Sequence, residues 1–381
     1  MAESISQNAA PITTAPVNTA PVTTAPVTTA PVTTAPVTTA PVNTAPVTTA
    51  PVNTAPVTTA PIPAGRAGYL IQVAARAPSL HNTQPWRFRV GERTIELYAD
   101  RRRQLPEDPD GREMLISCGA ALYGLRLAVR SLGHLPEVDL LPGPAGTRRP
   151  LARVRLGAAA AITVEEQKLL AAVPHRHTHR GPFEPGPLPR GLFPRLQHDA
   201  GAEGAMLTVV DQEQVGQDLA AIMAVASLRQ ALDPASRAEV ERWTHDLDSP
   251  ARDGVPAHAF PPTPDRLAGW LPPRDFDLGR GLGRLPAGGP PAPVTAVLAT
   301  PRDGEEDWLR AGQALHRLLL RAASQWVFGN LQTQPLKVVW VRALIRNQLA
   351  LPGWPQMLLQ LGLARTTHST ARRPPAELID P

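Results

Sequence analysis

Beyond residue 65 the chain switches between two periodicities: apolar positions three and four apart mark helices, and strict alternation marks strands. Leu70, Ile71, Val73 and Ala74 predict a short helix over residues 66–76. Phe88 and Val90 then alternate with Arg87 and Arg89, Gly91 and Glu92 turn the chain, and residues 94–98 alternate again, which predicts a β-hairpin. Residues 114–132 keep helical spacing until Gly133 stops them, with Asp110 and Glu113 spaced as a capping box. Residues 138–141 and 151–156 are further strand candidates.

The grammar then restarts. Thr163 and Glu166 form another capping box, ahead of a helix ending near Val173 and Pro174. A strand over 205–210, helices over 212–230 and 234–243, a strand over 294–300 and a helix over 303–324 follow. A loop over 328–335, a helix over 336–349 and a strand over 357–363 complete the pattern. Residues 248–293 are rich in Pro, Gly, Asp and Arg, with Trp270 and Phe276 as isolated aromatics, a composition that suits a lid, a binding loop or disorder. No strand–helix alternation lasts long enough for a doubly wound parallel sheet. The expected fold is α+β, with antiparallel-rich sheets flanked by long helices, in two related halves at residues 65–160 and 161–381.

Composition changes this picture at the front. From Pro11 to Pro61 the chain of 381 residues is a pentad repeat of Ala, Pro, Val, Thr or Asn, and Thr. Each proline fixes its own φ and pushes its predecessor out of the helical region. With no large apolar residue beyond Val and Ile, residues 1–64 read as an extended, largely disordered arm. The formal charge of +5 and a pI near 10.1 raise the question of a polyanionic partner. The cations are arginines apart from Lys168 and Lys337, spread among acids with no run beyond Arg101, Arg102 and Arg103, which argues against a nucleic-acid stripe. The single cysteine, Cys118, falls on an apolar helical face and suits a reducing compartment. Residues 1–10 show neither a basic nor an apolar leader region, and no apolar run has the length of a membrane span, so a cytoplasmic protein is expected.

Two stretches carry candidate chemistry. The first runs from Pro78 through Ser79, Leu80, His81, Asn82, Thr83, Gln84 and Pro85 to Trp86, a polar loop between two prolines. Ser79, Asn82 and Gln84 both donate and accept, as reading the edge of a planar heterocycle requires. The second is His175, Arg176, His177, Thr178, His179, Arg180, Gly181, Pro182 and Phe183. Extended, it places Arg176, Thr178 and Arg180 on one face and the histidines on the other. Two guanidiniums flanking a hydroxyl suit a phosphate monoester.

The first stretch resembles the PSxxNxQPW flavin-contacting motif of the nitroreductase/flavin reductase superfamily. The longer string through Asp108-Pro109-Asp110-Gly111 and Ile116-Ser117-Cys118-Gly119 resembles its Acg-type branch, and the second stretch the superfamily's phosphate motif. The resemblance, over residues 66–381, implies a nitroreductase-like fold duplicated in one chain. Each half supplies one motif, so a single FMN site would be shared between the halves of a monomeric pseudo-dimer. It further implies that Arg176, Thr178, Arg372 and Arg373 hold the FMN phosphate, Pro78, Ser79, Asn82 and Gln84 meet the ring, and Arg180 steadies the anionic reduced flavin. The implied activity is NAD(P)H-dependent reduction of quinones or nitroaromatics. The alternatives are flavin sequestration without turnover and a flavin-free body carrying a functional arm.

Other readings stay open. His175, His177 and His179 admit two metal ligands on a strand, without a carboxylate or cysteine nearby in sequence. Residues 279–283 have a glycine spacing seen in dinucleotide loops but follow no strand. His81 is a candidate proton donor, and the 328–332 segment resembles the one that approaches flavin N5.

Overall fold

The computed structural model describes residues 62–144, 149–211, 213–260, 276, 293–364 and 370–380. Expectations for the proline arm, for Trp270 and for the glycine run at 279–283 lie outside the described residues. The described residues fall in one compact unit.

That unit is built from one motif used twice. The first copy is helix α1 (Ala64–Ala74), strands β1 (Trp86–Val90) and β2 (Thr94–Ala99), helix α2 (Arg112–Ser131), and strands β3 (His134–Leu140) and β4 (Ala152–Ala159). Helix α3 (Val164–Ala172) links it to the second copy. There α4 (Leu192–Ala202) and β5 (Met206–Val210) are followed by an insertion holding α5 (Glu213–Leu232), α6 (Pro234–Arg242), β6 (Thr244–His245) and β7 (Val255–Pro256). The motif resumes with β8 (Val294–Thr300), α7 (Glu305–Ala323), β9 (Val327–Gln332), an added α8 (Val339–Gln348) and β10 (Trp354–Leu363). The sheet orders match: β1-β2-β4-β3 in one copy and β5-β8-β10-β9 in the other. The insertion therefore stands where the first copy has only the Gly91 turn.

Helices α2 and α7 cross at the centre, and small residues let them touch. A Cβ on Gly119 would lie 2.2 Å from the Leu309 carbonyl oxygen, and one on Gly312 would lie 2.0 Å from that of Ile116. The two glycines occupy equivalent places, each admitting the other helix's backbone. Around this crossing lie the two larger core clusters, one centred on Leu122, Leu125 and Phe88 and one on Leu315, Leu318 and Leu359, while two smaller clusters, around Met223 and Ile345 and around Val255 and Phe260, fill the rest of the second half. The C-terminus then returns to the first half. Leu378, at the end of α9 (Pro375–Leu378), is fully buried, and β11 (Ile379–Asp380) adds to β1 in parallel, pairing Phe88 with Ile379.

Several local expectations need correction. Residues 328–332 are not a loop but strand β9, paired with β10 from Phe328 opposite Gly362 to Gln332 opposite Leu358. Gly329 and Asn330 read as loop formers, yet ladder pairing outweighs that local preference. Asp110 does not cap α2: Asp108 does, accepting from the Glu113 and Met114 amides at 3.1 and 2.9 Å. The helix expected from residue 336 begins at Val339, after a 3₁₀ turn over Gln334–Lys337. The Thr163–Glu166 capping box forms in full.

Candidate functional site

The loop after α1 is wound tightly. His81, Asn82 and Gln84 all have left-handed backbones, with φ of 48°, 56° and 50°. Each costs a non-glycine residue about 1 kcal/mol or more, a strain concentrated at functional sites. The loop holds it through the Ser79 hydroxyl, which accepts from the Gln84 amide at 3.0 Å, and a 3₁₀ turn over Leu80–Asn82.

Across from it runs the arginine stretch. Thr178 bridges to Gly329, and the His179 amide donates to the Gly329 carbonyl at 2.9 Å, so the segment lies along the edge of β9. The histidines pack into aromatic contacts: His175 stacks on Trp326, His177 lies 4.4 Å from the Phe328 ring centre, and His179 lies 4.8 Å from that of Phe183. Burial pushes His177 down to about 4, with Arg176 and Arg180 adding to the effect. Among the described residues no cluster of three or more His, Cys, Asp or Glu is arranged to hold a metal.

Between the loop and the stretch lies a cleft. Pro78, Ser79, Leu80 and His81 line one side and Thr178 and Arg180 another, with Glu113, Ile116 and Ser117 of α2 and Asn330, Leu331 and Thr333 of β9 and its exit completing it. Phe276 also lines it, with the Arg180 guanidinium 5.3 Å from its ring centre and His81 edge-on at 5.9 Å.

The remaining anticipated residues lie behind these walls. Arg176 is 6% exposed, donates to the Arg76 carbonyl at 3.2 Å, and leaves its Nε and Nη1 buried without a hydrogen-bond partner. Arg372 donates to the Ala75 and Ala77 carbonyls at 3.1 and 3.3 Å. Both guanidiniums thus sit on carbonyls following α1, where the helix's partial negative charge favours a cation. That only partly offsets their enclosure. Burial first and then Arg76 push Arg176 down to about 10, while burial followed by Arg176, Arg76 and Arg180 depresses Arg372 well below the usual range. Among the described residues no carboxylate pairs with either. A cationic cluster of this kind calls for a bound anion, and a phosphate fits the orphaned donors of Arg176.

Asn82 and Gln84 turn toward the insertion and the C-terminal segment rather than toward the cleft. Asn82 donates to the Gly254 and Ala371 carbonyls, both at 3.1 Å, and keeps a buried Oδ1 without a partner. Gln84 donates to the Arg252 carbonyl at 2.7 Å and accepts from the Arg373 amide at 2.9 Å. The Arg373 side chain bonds the Glu377 carbonyl, and a second recess is lined by Arg76, Arg372 and Arg373 against His245, Asp253 and His258. Sequence reading missed Ser117, Glu113 and Thr333 as cleft residues, since nothing local distinguishes them from other helix or strand positions.

Fold and site together define a two-fold repeated α+β chain with one arginine-backed cleft between a strained loop and a sheet edge. No family model matches the chain. It is 35% identical over 300 residues to the "Putative NAD(P)H nitroreductase Rv3131" of Mycobacterium tuberculosis (strain ATCC 25618 / H37Rv), covering 77% of this chain and 84% of that protein. The "Putative NAD(P)H nitroreductase acg" of that organism is 29% identical over 316 residues, covering 81% of this chain and 93% of that protein. Among solved structures, an FMN-bound nitroreductase from Desulfitobacterium hafniense aligns over 56% of this chain and 97% of its own, at 14% identity and a TM-score of 0.36. The chain belongs to the nitroreductase superfamily.

Proposed function

We propose that the protein is an FMN-dependent NAD(P)H oxidoreductase that reduces quinones or nitroaromatics. The observation that supports this most is the buried Arg176 beside the half-buried Arg372, neither paired with an acid among the described residues, behind a cleft that joins Pro78 and Ser79 to Thr178 and Arg180. Arg176, Thr178, Arg372 and Arg373 would hold the phosphate, and Pro78 and Ser79 would flank the ring. Asn82 and Gln84 would act mainly by fixing the loop, with the Asn82 Oδ1 left for a donor on the ring. Arg180 would steady negative charge on the reduced ring. When bound, the cofactor accepts hydride from nicotinamide and passes the electrons on. The chain's part is to bind, orient and exclude water.

The mycobacterial relatives named as NAD(P)H nitroreductases agree with this reading. Among the described residues no helix is long and apolar enough to cross a membrane. We place the protein in the cytoplasm, in keeping with its single buried thiol, and as a monomer, because its two halves already form the paired unit. The test is anaerobic mixing of the FMN-loaded protein with NADPH and with NADH. Rapid bleaching by either supports turnover, and bleaching by neither sinks it. A second reading, flavin sequestration, is favoured by Phe276 of the insertion lying in the cleft under Arg180. It predicts bound flavin that neither nucleotide reduces.

A further inference from the structure

His81 is the only titratable side chain between Pro78 and Trp86, and it lines the cleft beside Ser79, Ser117, Thr178 and Arg180. Its backbone is left-handed, as are those of Asn82 and Gln84, so the imidazole is held by a tightly wound loop. Its Nε2 lies 3.4 Å from Oε1 of Glu239, with the two side chains 0% and 1% exposed. Glu239 belongs to α6, within the insertion that the first half lacks. The same carboxylate oxygen lies 3.4 Å from Nζ of Lys337, which in turn bonds Glu107 at 2.5 Å, and the Glu107 side chain is 14% exposed. A chain of proton-carrying groups therefore runs from the cleft wall to the protein surface.

We propose that His81 is the proton donor to the acceptor reduced in this cleft, positioned by Glu239 and resupplied through Lys337 and Glu107. The proposal rests on the flavin reading above. Reduction of a quinone to a hydroquinone takes two electrons and two hydrogens. One hydrogen would be supplied with both electrons as hydride by a flavin held in this cleft, and the other must come as a proton. The His81 N–H bond breaks as the acceptor's O–H bond forms, leaving a neutral imidazole that recovers its proton from water along the chain. The charged groups around the imidazole are Glu239, with Lys337 on the same carboxylate oxygen, and Glu113 and Arg180 in the same cleft wall.

The test uses flavin-loaded full-length protein, reduced with dithionite so that nicotinamide plays no part, then mixed with benzoquinone or with ferricyanide. Ferricyanide takes electrons without a proton. His81→Asn keeps a residue that tolerates the left-handed backbone and removes the titrating group. The ratio of benzoquinone to ferricyanide rates should fall about a hundredfold, and a ratio within about twofold of the parent's overturns the proposal. Should that variant lose its flavin, Glu239→Gln decides. Removing the negative charge should move the pH midpoint of benzoquinone reduction downward and leave the ferricyanide profile in place, and an unmoved midpoint overturns it. A parent protein that holds flavin but is bleached by neither nucleotide sinks the oxidoreductase reading while leaving this ratio measurable. A protein that takes up no flavin overturns both.

Discussion

Arg176 is buried with two of its guanidinium nitrogens unpartnered, so its charge works against the fold until an anion meets it. Two effects of opposite sign follow for Arg176→Met. The flavin-free protein should become more stable by about 1–4 kcal/mol, since an apolar chain replaces an uncompensated charge. Affinity for FMN should drop by about 30–100-fold, the loss of one or two charge-assisted hydrogen bonds. Denaturant midpoints without flavin and a flavin titration check the two arms. His177 and His316 titrate in a window of their own. Burial holds His316 down to about 3 and His177 to about 4, from an ordinary value of 6.5. Between those values and 6.5 the unfolded chain binds more protons, so this stability is complete above about pH 6.5 and is lost as the pH falls, at about 1.4 kcal/mol per unit per histidine. His316→Leu should flatten the slope of unfolding free energy between about pH 4 and 6.5 by one histidine's share. At neutral pH it should cost stability through the lost bond to the Ala120 carbonyl at 2.7 Å.

The α2–α7 crossing ties sequence to fold at the scale of elements. Ala on Gly312 would place a methyl 2.0 Å from the Ile116 carbonyl oxygen, and neither helix can retreat without opening both cores. Gly312→Ala should therefore destabilise by about 3 kcal/mol, at the upper end of overpacking. Gly68→Ala in α1, where a Cβ meets nothing within 4 Å, should instead stabilise by about 0.5–1 kcal/mol by the better helix propensity of Ala. Urea unfolding of the two single variants tests both signs. The same elements explain what could be read from the chain. Strands β1 and β2 alternate cleanly because one face of their sheet is buried, and helix α7 keeps an apolar stripe because one side of it packs against α2 and strands β8 and β9. Strand β9 escaped notice because Gly329 and Asn330 suggest a turn locally, and the pairing with β10 that makes them a strand comes from a segment about 30 residues further on. The cap of α2 was misplaced by two residues because Asp108 and Asp110 both suit the role, and only the turn at Gly111, with φ of 74°, decides between them. In the candidate site, the prolines and arginines were legible as residue types. The left-handed backbone at His81 and Gln84, and the Asn82 and Gln84 contacts some 170 and 290 residues distant, were not.

At the scale of the molecule, the last residues close the structure over its own site. Leu378 is fully buried in the first core, Ile379 pairs with Phe88, and Asp380 meets Arg87, while Arg372, six residues before Leu378, grips the carbonyls of Ala75 and Ala77. The segment that carries Arg372 and Arg373 is thus held at its far end by a sheet belonging to the other half. A chain ending at Pro374 keeps every proposed flavin residue but removes that anchorage together with Glu377, the partner of the Arg373 side chain. Losing the burial of Leu378 alone should cost about 2 kcal/mol, so the melting temperature should fall by several degrees. The sharper expectation concerns the cofactor. With Arg372 and Arg373 no longer fixed, ordering them must be charged to each binding event, and FMN affinity should weaken by about tenfold or more. If the truncated chain melts earlier but binds FMN as tightly as the parent, the C-terminal strap serves stability alone. If both change together, the edge strand and the phosphate anchor are one device, and the fusion of the halves is what supplies it.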